Sequence, residues 1–298
     1  MENEEIEYDF VLRVDFEKGS QDPSRIFSTM TSLIQTFQSI DSDLAKTIDS
    51  SISPVLLLED VDSGSLKTYL RNILTSIDDN AIKDFDWKKL VGAYLYKAKY
   101  KILEFIDENP TIDERKQIES LQKDLLFLAE ETNVRGLPGY APIPTDRLLN
   151  GIKKLSSSTS NLAEEDTVEY TTKDGTIRFN KDFKYDAEKI ETLLTREILS
   201  STNEMVLKVK KPDYLGESMW DFKHGDHPIQ AKITHSEWLT EFQSRSFDLR
   251  PGDSIRAMVQ VQVSYGYKNE IIATHHYVKE VLDIMPGQME NENDLFNE

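Results

Sequence analysis

Apolar and polar residues alternate at the start of the chain. Tyr8, Phe10, Leu12, Val14 and Phe16 are separated by Asp9, Val11, Arg13 and Asp15. Period two over such a run predicts a half-buried strand. Gly19-Ser20 marks a turn, and Asp22 before Pro23 marks a helix start, a capping side chain followed by proline at the first helical position. The period then changes. Ile26, Phe27, Met30, Leu33, Ile34, Phe37, Leu44 and Ile48 recur at helical spacing, which predicts a long amphipathic helix with one wide apolar stripe. Residues 54–58 form a continuous apolar run suited to a strand covered on both faces.

After Gly64 two periods compete. Leu66, Tyr69, Leu70, Ile73, Leu74 and Ile77 fit a helix, while the turn at Ser63-Gly64 favours a returning strand. The expectation is a short strand that gives way to helix. A second long helix is predicted over 87–106, with Leu90, Val91, Tyr94, Ala98, Ile102 and Phe105 as its stripe. Thr111 and Glu114 form a capping-box pattern ahead of a third helix through Ile118, Leu121, Leu125 and Leu128.

Residues 133–165 are rich in Pro, Gly and Ser, and predict a linker. Beyond it, Lys173-Asp174-Gly175 between alternating runs is a hairpin signal. Asp186 heads a helix containing Ile190, Leu193, Leu194 and Ile198. Strands are then expected at 205–209, 218–222 and 229–233, a helix at 235–244, and strands at 255–263 and 271–284. The expected organisation is an α+β domain over 1–132, the linker 133–165, a β-rich domain over 166–286 and an acidic tail, 287–298.

Strand, long helix, strand, and then the hairpin at Gly64-Ser65-Leu66 resembles a βαββ module found in assorted uncharacterised bacterial proteins. The resemblance covers about the first quarter of the chain and implies a fold but no activity. Three strands, a helix and two strands, in that order, is the arrangement of an OB-like barrel. The fold class expected is therefore α+β: an N-terminal βαββ-like sheet with long helices, and a C-terminal OB-like β-barrel.

Composition narrows the classes. Hydrophobic residues make up 38% of the 298, with 13 Phe, 12 Tyr and 3 Trp, enough to build cores and to exclude a disordered chain. Without Cys there are no disulfides, thiolate metal ligands or Cys nucleophiles. The acidic start, Met1 to Glu5, lacks the basic and apolar regions of a secretory signal, and no run of about 18 apolar residues suggests a membrane span. Cytoplasmic residence is the expectation. The net charge of −19 weighs against a dedicated nucleic-acid binder, which needs a basic footprint, yet leaves room for a local one.

Candidate chemistry is sparse. There is no phosphate-binding glycine loop and no GxSxG elbow. All five His lie after position 220, and His224 and His227 flank a turn rather than sharing a helix face, so no zinc site or other cofactor is predicted. Asp221, Lys223, Gln230 and Lys232 form a weak match to a metal-dependent nuclease. Binding signals are stronger. Lys97, Lys99 and Lys101, interleaved with Tyr96 and Tyr100, make a basic island, either a contact surface or a solvated face. In the barrel, Lys208, Lys210 and Trp220 could serve a single strand of nucleic acid, although Trp220 and Phe222 share one face and so equally suit the barrel core. No catalytic residue is assigned. The reading is a non-enzymatic bacterial accessory protein that binds a protein partner or its own copy, with a multi-gene system such as phage defence as the expected setting. The alternatives are nucleic-acid binding through residues 87–106 and the barrel face, and a metal-dependent nuclease or hydrolase.

Overall fold

The computed structural model describes residues 8–17, 22–62, 66–76 and 87–287. Two compact units part between Leu193 and Leu194. Both combine strands with helices or a helix, and the second contains a closed barrel, so the chain is α+β with a C-terminal barrel.

The first unit opens with β1 (Phe10–Asp15), α1 (Ser24–Lys46), β2 (Ile52–Asp62) and β3 (Leu66–Ser76). Next come α2 (Trp87–Glu108), α3 (Arg115–Glu131), a short 3-10 turn and α4 (Thr145–Ser158). β4 (Thr167–Thr172), β5 (Gly175–Arg178) and α5 (Ala187–Leu194) follow, with Leu194 itself falling in the second unit. The five strands form an antiparallel sheet in the order β2-β3-β1-β4-β5. Phe10, Leu12 and Val14 on β1 are fully buried, as are Leu33, Phe37 and Leu44 on α1. Phe10, Phe37 and Tyr170 form a ring cluster with centroids 5.1 to 5.9 Å apart.

Four expectations are corrected here. β3 is a strand throughout, with no turn to helix within its described length. It pairs with β2 on one side and β1 on the other, and Thr68, Leu70 and Leu74 face inward at period two. Ladder pairing on both edges overrides spacing that also fits a helix. The capping box sits three residues late, with Glu114 and not Thr111 at the cap: the Glu114 amide donates to Gln117 Oε1 at 2.8 Å. Residues 133–165 are not a linker. Val134, Leu148, Leu149, Ile152 and Leu155 are buried, and α4 packs on α1. Gly139 lets this segment touch α1's end: a Cβ there would lie 2.3 Å from the Ile48 carbonyl oxygen. The β4–β5 hairpin, expected in the C-terminal domain, extends the first sheet through β1. The turns expected at Gly19-Ser20 and Ser63-Gly64, the helix expected beyond Ser76 and the tail 288–298 lie outside the described residues.

The second unit contains β6 (Glu197–Lys211), β7 (Trp220–His224), β8 (His227–Ile233), α6 (Ser236–Gln243), β9 (Ser254–Tyr265) and β10 (Ile271–Met285). The strands close in the order β10-β8-β7-β6-β9. β10 and β8 run parallel; the other pairs are antiparallel. Ile198, expected in a helix, lies on β6. The interior is apolar: Leu207, Val209, Trp220, Phe222, Ile255, Ala257, Val259 and Val278 are each at most 1% exposed, capped by Trp238 and Phe242 of α6.

Candidate binding site

The lysines of α2 have three different fates. Lys99 is fully buried, its Nζ 2.5 and 2.6 Å from the two carboxylate oxygens of Asp41 on α1 and 4.5 Å from the Phe10 ring. It is no surface contact; a cation at that position can be buried only because a carboxylate meets it. Burial pulls its pKa down and pushes that of Asp41 up. Lys97 bonds Glu131 on α3 at 2.6 Å, and Lys101 bonds Glu104 at 2.5 Å. Both stay near the surface, and these acids raise their pKa values. The basic island predicted by composition is therefore largely neutralised.

What α2 does offer is a cleft. Tyr96, Lys97, Tyr100 and Lys101 line it together with Leu128 and Glu131 of α3, and with Thr172 and Asp174 of the β4–β5 hairpin. Its volume is about 170 Å³. The spacing explains the convergence: residues i and i+4 of a helix share a face, which aligns Tyr96 with Tyr100 and Lys97 with Lys101. The hairpin turn closes the far side. Gly175 has φ +153°, and a Cβ there would press to 3.4 Å from the Tyr100 hydroxyl.

Tyr96 is the most unusual wall of this cleft. The residue is only 5% exposed, its backbone carbonyl accepts from the Tyr170 hydroxyl at 3.0 Å, and Lys173 Nζ lies 5.3 Å from its ring. Its own hydroxyl is buried beside the Asp174 carboxylate, close enough to feel it but not in good hydrogen-bond geometry with any partner among the described residues. Burial, and then the nearby Asp174 carboxylate, pushes that hydroxyl up to about 12. An unsatisfied buried hydroxyl costs about 1–3 kcal/mol. A ligand acceptor would relieve that cost.

The remaining candidates separate. Trp220 is 1% exposed and packs against Phe222, Trp238 and Phe242, so it belongs to the barrel core and not to a stacking surface. Lys208 and Lys210 are exposed on β6. Asp221 accepts from Gln230 at 2.8 Å, Lys223 pairs with Asp226 at 3.0 Å, and Lys232 lies 3.9 Å from Glu217, so the nuclease-like quartet does not converge. His235 accepts from the Val281 amide at 3.0 Å. Among the described residues no group of three or more His, Cys, Asp or Glu could hold a metal ion, and no helix is long and apolar enough to cross a membrane.

Sequence reasoning found the tyrosines and lysines of the cleft but missed Leu128, Glu131, Thr172 and Asp174. Asp174-Gly175 was visible as a turn, yet nothing local ties that turn to α2. No family model, curated protein or solved structure matches the chain.

Proposed function

We propose that the chain acts by contact, as an accessory protein whose α2 cleft receives an apolar or aromatic side chain of a protein partner. The observation that carries this reading is the cleft itself: mainly apolar walls, two tyrosine rings and one buried hydroxyl poorly aligned with its neighbouring carboxylate. Such a combination suits an aromatic anchor carrying a polar atom, the residue type that dominates interface hot spots. The charges around it are paired across the rim, which favours a partner of mixed charge over a polyanion. The barrel fits the same reading. We take it as OB-type because its strand order, with the third and fifth strands parallel and the helix after the third, is that of the fold, which usually binds. The strand–helix–strand–strand start fits the βαββ module.

The test places a photoreactive benzoylphenylalanine at Tyr100 or, on the same helix, at exposed Lys88, in cells that make the protein natively. A discrete protein adduct at Tyr100 and none at Lys88 is expected. No adduct at Tyr100, or equal labelling at both positions, overturns the reading.

One observation favours a second reading, nucleic-acid binding. Lys208, Lys210 and Lys211 are exposed on β6, and none has a carboxylate within ion-pair distance among the described residues. Salt-sensitive binding of single-stranded DNA that Lys208→Glu with Lys210→Glu abolishes would support it; no binding at low salt eliminates it.

A further inference from the structure

Three strands run past the barrel at one end. Residues 197–204 of β6 pair with 258–265 of β9, which in turn pairs with β10. The far edge of β6 is open there, because β7 takes up pairing only from Lys208 onward. Every position from Glu197 to Glu204 is exposed, on both faces. Ile198 is 58%, Leu199 52% and Val206 46% exposed. An open edge of this length is a template for another strand, and proteins usually blunt it with Lys, Pro or a bulge. Between Ile198 and Leu207 there is no Lys or Pro, and the pairing with β9 runs through without a shift.

The edge also has a direction. The Val209 amide donates to Asp253 on the β9 side, whereas the Val206 carbonyl meets His224 Nδ1 at 3.1 Å on the β7 side. Since peptide groups alternate along an antiparallel strand, even-numbered residues present N–H and C=O to the open edge. Two copies of one strand pairing antiparallel about a twofold axis must match residues of equal parity, so the axis passes through a residue.

We propose that β6 pairs with β6 of a second copy of this chain, antiparallel, with the axis at Thr202. In that register Leu199 faces Met205, Ser200 faces Glu204, Ser201 faces Asn203 and Thr202 faces its own copy, while Ile198 reaches the exposed Val206 side chain at the end of the open edge, where His224 already takes the Val206 carbonyl. Apolar meets apolar on both faces of the sheet, and Thr–Thr pairs are favourable across strands. An axis at Ser201 would set Ile198 against Glu204, and one at Ser200 would set it against Thr202. Glu197 and Glu204 differ in parity, so no symmetric register opposes them. A foreign strand would not require the sequence to read alike from both ends; a second copy does. Residues 200, 202 and 204 would exchange about six backbone hydrogen bonds across the axis. Each copy carries a net charge of −19, so added salt should strengthen the association, where a partner held by opposite charge would be released.

The chain has no Cys, so one engineered thiol reports the register without background. Paired Cα atoms at the axis lie about 5.5 Å apart, within disulfide reach, while Ser200 and its copy are separated by about 14 Å. In the full chain, Thr202→Cys is expected to give a covalent dimer under mild oxidation, and Ser200→Cys is not. Sedimentation of the native chain should show a dimer that tightens with NaCl. Thr202→Lys, which sets like charges at the axis on an exposed face, should weaken it about tenfold or more with unchanged circular dichroism. A native chain that stays monomeric at high salt overturns the proposal. So does a dimer indifferent to Thr202→Lys, or a cross-link no better at 202 than at 200.

Discussion

In the unit that ends at Leu193, the interior holds an ion pair, Lys99 with Asp41, beneath the rings of Phe10 and Phe37. In the barrel unit the interior holds Trp220, Phe222, Trp238 and Phe242, and no charged side chain is buried there among the described residues. The two solutions respond differently to their surroundings. Apolar burial is indifferent to pH and gains about 25 cal/mol per Å² removed from water. A buried ion pair must recover the desolvation of both ions, and often it only breaks even against a hydrophobic pair. Burial raises the Asp41 pKa and lowers that of Lys99, so here desolvation outweighs attraction. Such a pair specifies which elements meet, β1, α1 and α2, more than it stabilises them.

The largest expected effects test this contrast from both sides. Lys99→Ala leaves the Asp41 carboxylate buried and unpaired, and should destabilise the first unit by about 3–5 kcal/mol. Trp220→Ala empties a large volume in the barrel and should cost about 3–5 kcal/mol there. Amide hydrogen exchange on the full chain, resolved by unit, checks both. Each substitution should act on its own unit; loss of protection in both units from either change would show one cooperative core instead of two.

Replacing the pair together should behave differently from removing one partner. Lys99→Met with Asp41→Leu is expected to be neutral or stabilising by about 1–4 kcal/mol. The sign with pH follows from the two shifts. Asp41 has a folded pKa above its unfolded value, so stability falls as pH rises from about 4 through that folded value. Lys99 has a folded pKa below its unfolded value, so stability falls as pH drops from about 10.4 through that folded value. Both penalties are fully present only at a pH above the folded value of Asp41 and below that of Lys99. The double variant should flatten the unfolding profile there, and a profile unchanged by it would remove the pair as the cause.

The same contrast explains what could be read from the chain. The barrel strands were legible because alternation and turn residues are local, and Trp220 with Phe222 on one strand face already suited a core. β3 was ambiguous because Leu66, Tyr69, Leu70, Ile73 and Leu74 satisfy two periods, and only its neighbours decide between them. Lys99 was illegible. It sits two residues from Lys97 and two from Lys101, with nothing local to separate them; its distinction is an aspartate 58 residues earlier. The boundary was misplaced for a related reason. Pro and Gly in residues 133–165 looked like a spacer, but Gly139 is there for close approach to Ile48.

A smaller effect should be confined to one barrel loop. Asp213 accepts from the Leu215 and Gly216 amides, both at 3.0 Å, and from the Ser218 amide and hydroxyl at 3.0 and 2.6 Å. These bonds, led by the Ser218 hydroxyl, hold its carboxyl down at about 2 and fix the loop that presents Leu215, 96% exposed. The folded pKa is depressed, so the loop's anchoring is complete above about 4 and is lost as pH falls through about 2. The Leu215, Gly216 and Ser218 amide resonances should titrate together near that lower value, and Asp213→Asn should abolish the titration. A common midpoint near 4 would mean that the carboxylate does not hold the loop.

The smallest change is the sharpest comparison, because it stays on α2. Lys97 and Lys99 are both lysines on one helix, each bonded to a carboxylate at 2.5 to 2.6 Å. They differ in water: the Lys97 side chain is 27% exposed and Glu131 50%, whereas Lys99 and Asp41 are at most 1% exposed. Exposed pairs are screened and lose side-chain entropy on pairing, so their measured worth is about 0.2–1 kcal/mol. Lys97→Ala should therefore shift the first unit's stability by less than about 1 kcal/mol, several times less than Lys99→Ala. Raising NaCl should shrink the Lys97 effect further and leave the Lys99 effect nearly unchanged, since salt does not reach a buried pair. Chemical denaturation in urea at two salt concentrations gives both differences. If the two substitutions cost the same, bond length and not burial would be setting the energy, and the contrast between the two interiors would lose its physical basis.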